Sequence, residues 1–115
     1  MMRYLLLLTS LMLSQIAVSA DWKKIDGIYA VTSEGYLDPA ENEQKDSHYR
    51  IQLKGQSAKD LYLAMKAKPV IDECTGSMAK NVNDMQCLYY KATNTYECHF
   101  SINISKQKIE YGVAC

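Results

Sequence analysis

Four cysteines provide the most definite chemistry in this sequence. They are Cys74, Cys87, Cys98 and Cys115, an even set confined to the C-terminal half of the chain. Structural zinc sites usually hold their cysteines in closely spaced pairs, whereas these are separated by wide intervals and form no CxxC motif. We therefore predict two disulfides, with no metal and no cofactor.

Four cysteines allow three pairings, and strand register favours one of them. If residues 106–107 form a two-residue turn, the register that matches apolar residues also sets Cys98 opposite Cys115. A second hairpin would bring Cys74 near Cys87. Bridging requires the two Cα atoms to lie within about 7 Å. The favoured pairs are thus Cys74–Cys87 and Cys98–Cys115, and the leading alternative nests Cys87–Cys98 inside Cys74–Cys115.

His99 and Glu97 are the strongest candidates for acid–base chemistry. They stand two residues apart, so both would lie on the same side of a strand. Such a pair could provide a general base, but catalysis also needs a pocket and a nucleophile within reach. We predict no catalytic residue, and a small hydrolase using His99 and Glu97 is the least favoured of three function classes.

Tyrosine dominates the aromatic residues, with nine tyrosines against one phenylalanine and one tryptophan. Tyrosine is enriched at protein–protein interfaces because it combines a large contact area with a polar tip. Tyr89 and Tyr90 are adjacent, so one of them must face outward unless both sides of the strand are covered. We predict four partner-binding candidates: Tyr89, Tyr90, Glu97 and His99.

The acidic residues of segment 36–47 carry the oxygen ligands that a calcium ion could use. They are Asp38, Glu41, Glu43 and Asp46. An EF-hand loop needs alternating oxygen ligands around a central glycine, and this segment has neither feature. We predict a solvated surface loop.

Residues 1–20 have the features of a secretory signal peptide. Arg3 precedes an apolar run, and Val18, Ser19 and Ala20 provide small residues for cleavage. No later apolar run approaches the roughly 20 residues that cross a bilayer. We therefore predict one disulfide-stabilised domain over residues 21–115, without a membrane span and either secreted or periplasmic.

The charge balance argues against nucleic acid as a partner. The chain has 13 Lys and Arg against 13 Asp and Glu, and loss of Arg3 with the signal leaves one fewer base. Proteins that bind nucleic acid need a surplus of cations to neutralise phosphates. A protein partner is therefore expected.

The hydrophobic pattern predicts an α+β fold, a small antiparallel β-meander of about four to five strands packed against one main α-helix. The helix would start at a Ser57 cap and end before Pro69, with one apolar stripe. That stripe comprises Ala58, Leu61, Tyr62 and Met65. Strands would include residues 85–91, 95–105 and 108–115. One side of this sheet would meet the helix and the other would meet water, placing Glu97, His99, Ser101 and Asn103 in solvent.

Together these features favour a small exported, non-enzymatic protein-binding domain, such as an inhibitor or immunity-type protein acting on a secreted or periplasmic enzyme. An exported effector or toxin-like protein is the main alternative. Asn103 also begins an Asn-Ile-Ser sequon, which would matter in a eukaryotic secretory pathway.

Overall fold

The computed structural model describes residues 20–34, 46–112 and 115. The predicted signal peptide, residues 1–20, lies outside the described residues except for Ala20, and so does most of the predicted acidic loop. The elements in chain order are β1 (Gly27–Thr32), β2 (His48–Lys54), α1 (Gly55–Ala64), β3 (Val70–Ile71), β4 (Met78–Val82), β5 (Met85–Tyr90), β6 (Thr95–Asn103) and β7 (Lys108–Tyr111). Helix α1 is too short to cross a bilayer, and the described residues contain no longer apolar helix.

All seven strands join one antiparallel sheet, in the order β1-β2-β6-β5-β4-β3, with β7 also paired to β6. Strand β6 is the longest, with nine residues. Strand β2 lies along one of its edges, whereas β5 and then β7 share the other. The α+β class is confirmed. The sheet has more strands than predicted because β6 pairs along both of its edges. Strand β2 lies on the second edge and brings β1 into the same sheet.

Helix α1 begins three residues earlier than predicted, with Lys54 as its N-cap. Gly55 has φ +54°, a conformation that glycine adopts readily, and the chain turns there directly from β2 into the helix. Ser57 is not the N-cap. Its hydroxyl lies 2.9 Å from the carbonyl oxygens of Asp26 and Lys54 and accepts the Asp26 N–H at 2.9 Å, which ties the chain before β1 to the helix.

The predicted apolar stripe of α1 faces the sheet. Ala58, Tyr62 and Met65 are buried, and Leu61 packs against the same core. The helix stops at Ala64, with Met65 as its C-cap, several residues before Pro69.

Lys80 on β4 completes the C-terminal end of the helix. Its Nζ donates to the carbonyl oxygens of Tyr62 at 3.1 Å and Met65 at 3.2 Å, and it lies 4.5 Å from the centre of the Tyr62 ring. The last carbonyls of a helix have no partner within it, and a cation is favourable at that end. Lys80 thus links the helix to the sheet.

Replacing Lys80 with methionine is expected to lower the free energy of unfolding by about 1–3 kcal/mol, since two half-buried carbonyls lose a charged donor. Urea denaturation measures this change. Lys68→Met, at an exposed position, is the matched control and should change the stability by less than about 0.5 kcal/mol. Equal stability of the two variants would contradict the linking role.

The side of β6 predicted to face water is largely buried. His99 is 6% exposed, Ser101 0% and Asn103 5%, so the prediction of a solvated polar side is wrong. Strand β5 already occupies the edge of β6 at His99, and the chain after β7 passes so close that a Cβ on Gly112 would lie 2.7 Å from the His99 carbonyl carbon. Neighbouring backbone therefore excludes water from this side.

The disulfides join Cys87 to Cys98 and Cys74 to Cys115. This is the nested pairing, and it corrects the favoured pairs Cys74–Cys87 and Cys98–Cys115. Cys87 lies directly opposite Cys98 between β5 and β6, with Cα atoms 4.0 Å apart and both residues fully buried. Two such bonds are typical of an oxidising compartment.

The register error has a local cause in the loop after β6. The side-chain oxygen of Asn103 accepts hydrogen bonds from the Ser105 hydroxyl and the Lys106 N–H, so the loop begins at Asn103 and covers residues 104–107. Phe100 then lies opposite Tyr111, two residues away from the predicted register. That shift moves Cys115 out of reach of a position opposite Cys98.

Candidate functional site

The predicted partner-binding residues do not form one surface. Tyr89 lies on the side of the sheet that contacts α1, where its ring centre is 6.3 Å from that of Tyr62 and 4.7 Å from that of Tyr96. Tyr90 lies on the opposite side, and burial raises its pKa, with a further contribution from the nearby Glu97 charge. Both tyrosines are half-buried, so here both sides of β5 are covered.

Glu97 and His99 are brought together as the sequence predicted. The Nε2 atom of His99 lies 3.3 Å from Glu97 Oε2. Within the described part of the chain, His99 Nδ1 is buried without a hydrogen-bond partner. The pair lies on the same side of the sheet as Tyr90 and is separated by the sheet from Tyr89. The role of these four residues in partner binding thus remains an untested prediction. The exposed apolar surface of the sheet lies elsewhere.

A contiguous apolar patch lies on the helix side of the sheet, beyond the end of α1. Five of its eight side chains are exposed and the other three are half-buried. It consists of two rows that run across β1, β2, β6 and β7. We call these eight residues the apolar patch: Val31, Tyr49, Ile102 and Ile109 in one row, and Tyr29, Ile51, Phe100 and Tyr111 in the other. Tyr29 is 68% exposed and Tyr111 56%. None of the eight carries a charge.

The patch is exposed because α1 covers only one end of the sheet. The next row, with Leu53, Cys98 and Cys87, is buried beneath the helix. At 1.5 Å per residue, a ten-residue helix is about 15 Å long and cannot cover both ends. Strand alternation predicts that Ile102, Ile109 and Tyr111 share a side of the sheet. The helix is shorter than the strands, and this difference in length was the signal that the far end of that side is not covered by α1.

A shallow groove crosses the β1 margin of the apolar patch. It has a volume of about 290 Å³ and is lined by Ile25, Gly27, Ile28, Tyr29, Tyr49 and Ile51. The rings of Tyr29 and Tyr49 stack beside it with centres 5.1 Å apart and planes 9° apart. A stacked aromatic pair next to an apolar depression can receive an apolar side chain of a partner.

A separate polar cluster lies on the other side of the sheet. His48 Nε2 lies 2.9 Å from Glu110 Oε2, and its Nδ1 lies 2.8 Å from the Ser47 hydroxyl. The side-chain N–H of Asn103 donates to Glu110 Oε1 at 3.0 Å. These hydrogen bonds, led by that from His48, lower the pKa of Glu110. The cluster therefore ties β2 and β6 to β7 through one ionised carboxylate.

A cavity of about 360 Å³ adjoins this cluster. Its lining includes His48, Ser101 and Glu110, together with the charged residues Glu34, Arg50, Asp84 and Lys108. Ser47 is not part of the lining, and its hydroxyl also lies 3.3 Å from the Thr32 carbonyl oxygen. A molecule in the cavity would meet the imidazole and the carboxylate, which already bond to each other.

The Glu110 contacts predict how stability depends on pH. Because its folded pKa lies below the usual value of 4.5, ionised Glu110 stabilises the fold above that pH, and the contribution is lost as pH falls through the folded pKa. Glu110→Gln is expected to flatten the loss of stability between about pH 5 and pH 3, measured by urea denaturation across that range. Glu73→Gln, in the exposed β3–β4 loop, should keep the wild-type slope, and an unchanged slope in Glu110→Gln would contradict the assignment.

Asn103 is engaged within the fold. Its amide nitrogen bonds to Glu110, and its amide oxygen accepts from Ser105 and Lys106. Asn103, the acceptor residue of the Asn-Ile-Ser sequon, is thus buried in the folded chain, although alternation had predicted that it faces solvent.

The geometry can be compared with that of known proteins. No protein-family model matches the chain, and no curated protein or solved structure is significantly similar to it.

Proposed function

We propose that this protein is a small exported binding domain of the inhibitor or immunity type, which docks onto a secreted or periplasmic enzyme through the apolar patch. The observation that carries the proposal is the pair of rows on the sheet beyond α1, rich in tyrosine and isoleucine and free of charge, in which five of the eight side chains are exposed. A contiguous exposed apolar surface of this kind commonly marks a protein-interaction site.

The composition of the apolar patch supports a protein partner. Three of its residues are tyrosines, Tyr29, Tyr49 and Tyr111, and the cores of interfaces are enriched in aromatic residues and depleted of charge. The groove beside Tyr29 would seat an anchoring side chain of the partner. Affinity at such surfaces usually depends on a few central anchors surrounded by contacts that exclude water.

The rigidity of the patch also supports this role. Its strands belong to one sheet with α1, and the buried Cys87–Cys98 bond lies one row away from Phe100 and Ile51. Side chains held by a rigid sheet lose little conformational freedom when they bind. A pre-organised surface is what a tight inhibitor needs.

Affinity capture with the oxidised protein tests the proposal. The wild type should retain an enzyme from envelope or culture extracts in a one-to-one ratio and reduce its activity. Ile109→Glu combined with Tyr111→Glu should weaken this binding at least about 100-fold, because two charges would be buried at the interface. Thermal melting shows whether that variant is still folded.

Leu63→Glu is the matched control, since Leu63 is an exposed apolar residue on α1 outside the patch. It should bind like the wild type. Equal retention by the patch variant and the control would refute the docking surface. Capture of a target from a host or neighbouring cell, in place of an enzyme from the producing cell, would favour the effector alternative.

A further inference from the structure

Strand β1 is an edge strand that lacks the usual protection. It forms one end of the sheet and pairs with β2, and no described strand pairs with its outer edge. Its sequence, Gly-Ile-Tyr-Ala-Val-Thr, contains no charge and no proline. Exposed edges normally carry lysine, proline or a bulge, because an unpaired apolar edge recruits another strand.

The hydrogen-bonding groups on this edge can be assigned by residue. The Asp26 carbonyl accepts the Lys54 N–H of β2 at 2.8 Å, and strand residues alternate in the direction of their backbone groups. The even-numbered residues of β1 therefore bond to β2, whereas Gly27, Tyr29 and Val31 direct their N–H and C=O groups outward. A new strand would bond to these three residues.

The side chains of β1 determine which kind of strand can pair with its outer edge. Ile28 is exposed on one side of β1, and Tyr29 and Val31 are exposed on the other. A partner strand must be apolar on both sides and free of charge, and β1 itself meets this requirement. Two antiparallel copies of one strand are related by a twofold axis, which gives the closed symmetry of most homodimers.

We propose that β1 pairs with β1 of a second copy, so that two sheets join into one across a twofold axis at Tyr29. In this register Tyr29 faces Tyr29 of the partner subunit, and Gly27 faces the partner's Val31. About six backbone hydrogen bonds would form. The stacked pair Tyr29–Tyr49 would be continued by its symmetry mate into a row of four tyrosines.

The area buried in the proposed β1–β1 contact is small but sufficient for a specific dimer. Apolar side chains along β1 and the exposed Ile25 before it would bury on the order of 500 Å² per copy. Two copies then reach the lower limit of about 1,000 Å² for a specific interface. The dimer should be concentration-dependent, and it would place two apolar patches side by side without depending on what those patches bind.

A charge exchange at residue 29 tests the pairing. Sedimentation of the oxidised wild type should show a monomer–dimer equilibrium. Tyr29→Lys and Tyr29→Glu should each weaken the dimer at least about tenfold, because like charges lie directly opposite each other. An equimolar mixture of the two variants should restore a dimer containing one copy of each, which also demonstrates that both variants are folded.

Two further variants separate this pairing from other causes. Ile71→Lys introduces the same charge at an exposed apolar residue of the opposite edge strand, β3, and should dimerise like the wild type. The double variant Ile109→Glu and Tyr111→Glu changes the apolar patch that is proposed to bind the enzyme, and it should also leave the dimer intact. A wild type that stays monomeric at all concentrations, or a mixture that fails to recover the dimer, would overturn the proposed axis.

Discussion

Replacing both Cys87 and Cys98 with alanine is expected to abolish most of the folded state at 37 °C. Their bond spans 11 residues, and loss of such a cross-link costs about 3 kcal/mol in chain entropy. Both residues are fully buried in the core beneath α1, so truncation adds about 1–2 kcal/mol for the cavity. Small domains are stable by only about 5–15 kcal/mol. Circular dichroism during heating measures the loss.

Partial reduction compares the two disulfides within the same molecule. Cys74 and Cys115 are exposed, whereas Cys87 and Cys98 are inaccessible. A mild reductant followed by alkylation should therefore label Cys74 and Cys115 first and leave the inner bond intact. Simultaneous labelling of all four cysteines, or a peptide map that links Cys74 to Cys87, would contradict the nested pairing.

Gly112→Val is expected to have the second largest effect. A Cβ at this position would lie 2.6 Å from the Phe100 backbone nitrogen and 2.9 Å from His99 Cβ, and the backbone of the central strand β6 has no room to move. The end of the chain must shift away from β6, which breaks the hydrogen bond from the Ser101 hydroxyl to the Tyr111 carbonyl. We expect a loss of about 3 kcal/mol in urea denaturation.

Gly112→Val should also slow formation of the Cys74–Cys115 bond, since Cys115 follows closely after residue 112. Thiol titration during oxidative refolding detects this as free Cys74 and Cys115. Gly76→Asn is the control. No atom lies within 4 Å of a Cβ at Gly76, and its φ of +71° is one that asparagine tolerates. Normal stability and oxidation of Gly112→Val would show that the close approach is not required.

The paired roles of the apolar patch and of β1 suggest how one small sheet could serve two contacts. The patch occupies a side of the sheet, and the dimer would use the backbone edge of β1. The two surfaces meet at Tyr29, which belongs to both. A Tyr29 variant therefore changes both surfaces, whereas the Ile109 and Tyr111 variant changes the apolar patch alone. Loss of enzyme capture with an intact dimer in the Ile109 and Tyr111 variant identifies partner binding as the affected event.

Local patterns determined which residues share a side of the fold. The stripe on α1 and the alternation of Tyr96, Cys98, Phe100 and Ile102 follow from the helical and extended repeats, which depend on neighbouring residues alone. The even cysteine set likewise predicted two disulfides. A shift of two residues between β6 and β7 preserved the predicted sides, because side chains in a strand alternate with a period of two.

Tertiary structure decided which strands lie opposite each other and what covers each side. The β5–β6 register set Cys98 opposite Cys87. The two-residue shift between β6 and β7 kept Cys115 away from Cys98, since Asn103 starts a four-residue loop through its own side chain. Polar residues such as Ser101 became buried because β7 and the chain beyond it lie against β6. Coverage depends on contacts between distant segments and on the length of α1. The length of α1 relative to the strands can be estimated from the sequence, but contacts between distant segments follow no local pattern. Which sides of the sheet are covered was therefore decided by the folded chain.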